Sequence, residues 1–123
     1  MADTIIKIDL DKSPYEHDNI HNRWHPDIPI VATVNPGDDF IVECMDWTGG
    51  QIKNDDSAAD VRDVVLEQVH FLSGPIGVNG AKPGDLLEVD ILDIGAFQNS
   101  LWGFNGFFSQ NNGGGVPSEH LHD

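Results

Sequence analysis

One short pattern occurs twice in this chain and does most to limit its fold. An apolar run, Ile30 to Val34, leads into Asn35-Pro36-Gly37-Asp38 and then into Phe40 to Cys44. The same grammar returns at Ile76 to Val78, Lys82-Pro83-Gly84-Asp85 and Leu86 to Ile94. Proline presets φ and the following glycine accepts a positive φ, so each Pro-Gly-Asp is a turn. The flanking runs are β-branched and alternate in polarity. Phe40, Val42 and Cys44 fall on one face, as do Leu87, Val89 and Ile91, with Glu88 and Asp90 opposite. That is strand periodicity. Two similar hairpin-like units predict a mainly β fold, a β-sandwich or barrel-like domain with long loops. Two copies are too few for a solenoid.

At the start of the chain, Thr4 to Leu10 also alternates, with Ile6, Ile8 and Leu10 on one face. Residues 11–29 hold prolines, histidines and charges, and form an irregular excursion. At 123 residues the chain is one domain at most, and its 39% hydrophobic content suffices for a core. Six Lys+Arg against 21 Asp+Glu give a formal charge of −15. Such a chain repels phosphate backbones and anionic lipid, which argues against nucleic-acid and membrane-surface partners. Cys44 is the single cysteine, the N-terminus does not resemble a secretory signal, and no apolar stretch matches a membrane span. A cytoplasmic location is the expectation.

The candidate chemistry lies between the two units. Residues 46–63 are polar and Asp-rich, a loop length that usually marks function or disorder. A short helical turn is expected over Ser57 to Arg62, with Ser57 as its cap and Asp60 three residues on. Asp46 stands at a strand end before Gly49, Gly50 and Gln51, where backbone can approach a ligand closely. It can serve a site there, or bond local backbone as Asp commonly does. His21, His25 and His70, with Asp46, Asp55, Asp56, Asp60 and Asp63, are the donors that a zinc-like cation takes. The His21/His25 spacing suits one helix face, but Pro26 biases His25 out of helix. His70, between apolar neighbours, also reads as a core or supporting histidine. Cys44 falls on the expected core face and reads as structural rather than nucleophilic.

Residues 97–123 carry Trp102, Phe104, Phe107 and Phe108 and then a glycine run, Gly113 to Gly115. Aromatics this close to a chain end need something to pack on, so the chain is expected to stop before its fold does.

Several ordered blocks resemble the N-terminal part of the acetamidase/formamidase family, in its formamidase branch. They are H-N-R-W-H-P-D-I-P (21–29), V-N-P-G-D (34–38), D-W-T-G-G-Q-I (46–52), N-D-D-S-A-A-D-V (54–61) and V-H-F-L-S-G-P onward (69–96). The resemblance implies cleavage of the C–N bond of a short linear amide to carboxylate and ammonia, by a homo-oligomer of largely β fold. It implies roles for Asp46, Asp60 and His70 in catalysis, for Asp56 and His70 at a divalent metal (zinc or calcium), and for Gly49, Gly50 and Gln51 at substrate. It also implies a longer protein with a later block, G-D-x-H-A-x-Q-G-x-G-E, that has no match here. Residues 1–115 then form an incomplete N-terminal domain and 116–123 a divergent tail. On these grounds the isolated chain is expected to hydrolyse amides poorly or not at all. An acidic cation-binding or protein-docking domain, or an inactive remnant, is the alternative.

Overall fold

In a computed structural model the first strands of the two repeated units lie side by side. The structure describes residues 1–114; the expected divergent tail, 116–123, lies outside them. In chain order the strands are β1 (Asp3–Ile6), β2 (Ile20–His21), β3 (Ala32–Val34), β4 (Phe40–Val42), β5 (Leu72–Ser73) and β6 (Ile76–Val78). One short helix, α1 (Ala59–Arg62), and three 3-10 turns complete the elements. They form three two-stranded sheets, and the described residues close no barrel.

Both Pro-Gly-Asp turns form as the local chemistry requires. Asp38 N–H donates to Asn35 O at 3.1 Å, and Asp85 N–H to Lys82 O at 3.0 Å. Gly37 and Gly84 sit at φ +89° and +96°. Each Asp then accepts from the backbone at the head of its own turn, Asn35 N at 2.8 Å and Lys82 N at 2.9 Å.

The hairpins expected around these turns do not form. Pro followed by a glycine at positive φ makes a type II turn, which splays its flanking strands rather than twisting them together. The flanking strands therefore find partners far away in sequence. β3 pairs in parallel with β6, with Val34 opposite Val78. Asn79 N–H extends the ladder to Val34 O at 2.8 Å, and Asn79 Nδ2 reaches Asn35 Oδ1 at 2.8 Å. β4 pairs in parallel with β1, with a register shift between Thr4 and Ile6. Beyond that pair Glu43 takes over the ladder: its N–H donates to Ile6 O at 3.1 Å, and its carboxylate accepts from Ile8 N–H at 2.7 Å. β2 and β5 are antiparallel.

Ile6 and Ile8 are buried as the alternation predicts, but Leu10 is not, and the strand ends at Ile6. The inward face expected for Phe40, Val42 and Cys44 is also not made. β4 has one strand neighbour, Phe40 is exposed, Val42 is half-buried, and Cys44 is an exposed free thiol. The largest departure is Leu86 to Ile94, which forms no strand. None of its backbone groups bonds to other backbone among the described residues.

The main apolar cluster sits elsewhere, beneath the polar loop. Ile52, Val64 and Val69 are buried together, and Trp47, Val61, Phe104 and Phe108 pack against them. Phe108 meets Trp47 edge-on, at 5.6 Å between ring centroids. Two of the late aromatics thus find the support that the sequence demands, while Trp102 and Phe107 stay exposed.

Candidate functional site

The segment from Asp46 to His70 is held in shape by its own side chains. Asp46 Oδ1 accepts from Thr48 N–H at 2.8 Å and from Thr48 Oγ1 at 2.5 Å, while Oδ2 accepts from Gly50 N–H at 2.8 Å. Thr48 is fully buried, and its hydroxyl oxygen accepts in turn from Gln51 N–H at 3.2 Å. The Gln51 amide crosses the loop, accepting from Val65 N–H at 2.8 Å and donating to Gln68 O at 3.0 Å. Asp60 accepts from Lys53 N–H at 2.8 Å. Such bonds to charged acceptors are stronger than neutral ones. They explain how so polar a segment stays ordered.

Each candidate residue has a definite place in this arrangement. Asp46 and Gln51 are engaged by the loop's own backbone, so local structure uses the groups that the sequence offers to a substrate. Gly49 has φ +67°, and a methyl group added there would lie 2.5 Å from the Phe71 ring and 2.7 Å from Pro14 Cγ. Gly50 sits at φ +84°, and a methyl group added there would meet nothing nearer than Lys53 Nζ, at 4.0 Å. Ser57 Oγ accepts from Ala59 N–H at 3.2 Å, yet the residue at the cap position of α1 is Ala58, with no side-chain bond. Asp60 supports Lys53 rather than completing a capping box. Asp56 is exposed at φ +58°.

His70 is the most distinctive of the set. It adopts φ +61°, a left-handed conformation that costs a non-glycine residue about 1–3 kcal/mol. Its N–H donates to Trp47 O at 2.7 Å, and its ring stacks on the Trp47 indole at 5.3 Å between centroids. The residue is exposed, and its ring nitrogens make no hydrogen bond among the described residues. A histidine held in one orientation with free nitrogens can carry a proton.

Among the described residues, no three His, Cys, Asp or Glu side chains gather closely enough to hold a metal ion. Asp56 and His70 thus do not make a metal site by themselves. The one exposed ion pair in the segment is Arg62–Asp63, at 2.7 Å. The hydrogen bond and charge of Asp63 raise the Arg62 guanidinium further. The hydrogen bond from Arg62 holds the Asp63 carboxyl below its usual value.

A groove of about 490 Å³ opens beside the loop, lined in part by Tyr15, His17, His21, Trp24, His25 and Phe71. Pro14 and Phe71, which close over Gly49, also line it. His21 Nδ1 is buried against it without a partner. His17 was not among the sequence candidates. Its Nε2 accepts from Asp9 N–H at 3.1 Å, a contact between separate segments that local pattern does not signal.

A largely non-helical framework with an ordered acidic loop beside a histidine-lined groove is the class of molecule described so far. Residues 7–123 match the Acetamidase/Formamidase family, and the chain belongs to that family. It is 69% identical over 119 residues to a formamidase of Methylophilus methylotrophus, covering 96% of this chain and 29% of that protein. It is 50% identical over 131 aligned positions to an acetamidase of Mycolicibacterium smegmatis, covering all of this chain and 32% of that protein. Among solved structures, a gamma lactamase from Delftia acidovorans superposes with a TM-score of 0.93 at 67% identity, over 97% of this chain and 29% of that one. The chain thus spans about three-tenths of the length of these relatives, and corresponds to their N-terminal portion.

Proposed function

We propose that this chain is the N-terminal platform of an amide hydrolase. The reaction would split a short linear amide with water, breaking the C–N bond to give a carboxylate and ammonia. The observation that carries this reading is the 69% identity to a formamidase across nearly the whole chain. Hydrolysis of this kind needs a polarised carbonyl, an activated water and a proton for the leaving nitrogen. Of the candidates, His70 has the geometry for proton transfer: exposed, fixed on Trp47, with unbonded ring nitrogens. Asp46 and Gln51 act as the frame that holds Gly49 and Gly50, and Asp60 as the brace on Lys53. Asp56 and His70 would bind a zinc or calcium ion only with donors from the rest of the fold. The sandwich or barrel, and the homo-oligomer, belong to the completed protein.

A second reading follows from the solved relative. A gamma lactamase at 67% identity makes ring-opening of a cyclic amide the competing reaction. Ammonia release from formamide and acetamide, beside ring-opening of a γ-lactam, separates the two. The chain alone is expected to be inactive on all three. In the completed fold formamide is expected to react fastest, and His70→Asn to lower kcat by about 100-fold or more, the scale of a lost acid–base group. Turnover by the chain alone, or an undiminished His70→Asn variant, contradicts this reading.

A further inference from the structure

We propose that His17 is a proton-sensitive latch: as neutral imidazole it ties the 3-10 turn Pro14–Glu16 to the chain leaving β1, and on protonation it releases that chain and loosens the seat of the turn on the 46–70 loop. The two ring nitrogens have partners of opposite kind. Nδ1 lies 3.0 Å from Ser13 O, and Nε2 lies 3.1 Å from Asp9 N. A carbonyl can only accept, and an amide N–H can only donate. The ring therefore carries its single proton on Nδ1 and offers a lone pair at Nε2. Imidazolium donates from both nitrogens. It keeps the bond to Ser13 and loses the one to Asp9, where two donors would face each other.

The latch stands at the end of a strand. Two successive amides beyond β1 are held by side chains: Ile8 N–H by the Glu43 carboxylate at 2.7 Å, and Asp9 N–H by His17. A carboxylate keeps its acceptor role down to a pH of about 4, whereas an ordinary imidazole gives its lone pair to a proton at about pH 6.5. Of the two holds, the one at His17 is thus the one that mild acid opens.

At its other end the latch reaches the wall of the candidate site. The turn is closed by its own groups, Ser13 N–H donating to the Glu16 carboxylate at 2.8 Å and Tyr15 N–H to Ser13 Oγ at 3.4 Å. It carries buried Pro14, whose Cγ would lie 2.7 Å from a methyl group added at Gly49. It also sets Tyr15 edge-on to Phe71, at 5.5 Å between ring centroids. Opposed charges surround His17. On one side Asp9, Glu16 and Asp18 attract a second proton, while Lys7 and Lys12 oppose it. On the groove side stand Tyr15, His21, Arg23, His25 and Asp27. Their balance sets the pH at which the latch opens, and the two ring bonds set which form is closed.

The latch does not rest on the proposed hydrolysis, so the two fail separately. Nitrogen-15 NMR of the 123-residue chain at about pH 7.5 is expected to show the His17 ring with its proton on Nδ1 and none on Nε2. Between about pH 7.5 and 5, protection of the Asp9 amide, corrected for intrinsic exchange, is expected to fall about 3- to 10-fold, the worth of one hydrogen bond. Its midpoint is expected to match that of the His17 ring, and the Gly49 amide shift to move with it. In His17→Ala the Asp9 amide is expected to be weakly protected at both ends of the range, with the Ile8 amide unchanged. The tautomer and the shared midpoint are read on the unaltered chain, so they decide even where the variant does not fold. A proton on Nε2 in the neutral ring, an Asp9 or Gly49 amide that does not follow the His17 titration, or the same pH response in His17→Ala overturns the proposal.

Discussion

The loop at 46–70 and the arm at 86–94 reverse the usual relation between polarity and order. The loop is rich in Asp and Gly, yet its side chains tie it down. Asp46 gathers three donors and Gln51 spans to Val65 and Gln68. The arm has the alternation of a good strand, yet nothing in the described chain covers it. A polar segment orders itself when its own groups satisfy one another, whereas an apolar strand needs a neighbour.

If that contrast holds, substitutions in the loop cost stability and substitutions in the arm do not. Gly49→Ala is expected to cost the most, about 3 kcal/mol, because it combines an unfavourable positive φ with a methyl group pressed onto Phe71 and Pro14. Urea unfolding measures it. Asp46→Ala is next, at about 2–3 kcal/mol, since it strands three donors, two of them on the fully buried Thr48. Asp46→Asn, which keeps an acceptor, is expected to lose less. Gln51→Ala is expected to cost about 1–2 kcal/mol by freeing Val65 N–H and Gln68 O. Leu87→Asp in the arm is expected to stay within about 0.5 kcal/mol of the parent in the same assay. A large loss there would break the contrast.

The smallest effect is electrostatic. Arg62 holds the exposed Asp63 carboxyl below its usual value. The folded value is the lower one, so the stabilisation is present above the unfolded value of about 4 and disappears as pH falls through the folded value. An NMR titration of Asp63 is expected to move toward that ordinary value in Arg62→Gln.

These two regions also mark how far the sequence could be followed. The turns at Asn35–Asp38 and Lys82–Asp85 were legible because proline and glycine act on adjacent dihedrals. Their consequence was not. The expectation of hairpins failed because a type II turn opens the strands, and the partner of β3 lies on β6, across more than 40 residues. The burial of Ile6 and Ile8 followed from alternation, but the end of β1 is set by the distant Glu43 side chain. For Asp46 a functional and a local role are both open in the sequence, and the structure adds bonds from Thr48 and Gly50 to its carboxylate, which pattern alone does not specify. The unusual φ of His70 and the stack on Trp47 carry no sequence signal, since both arise from pairing between segments 23 residues apart. Leu86 to Ile94 has the pattern of a strand, but pattern does not say where the neighbour is.

Residue-resolved hydrogen exchange on the isolated chain tests the central contrast most directly. Amides at Thr48, Gly50 and Gln51 are expected to be protected to the level of global unfolding, while those from Leu87 to Leu92 exchange at rates near the unstructured limit. Protection of the arm in the monomeric chain, or unprotected loop amides, would contradict the account.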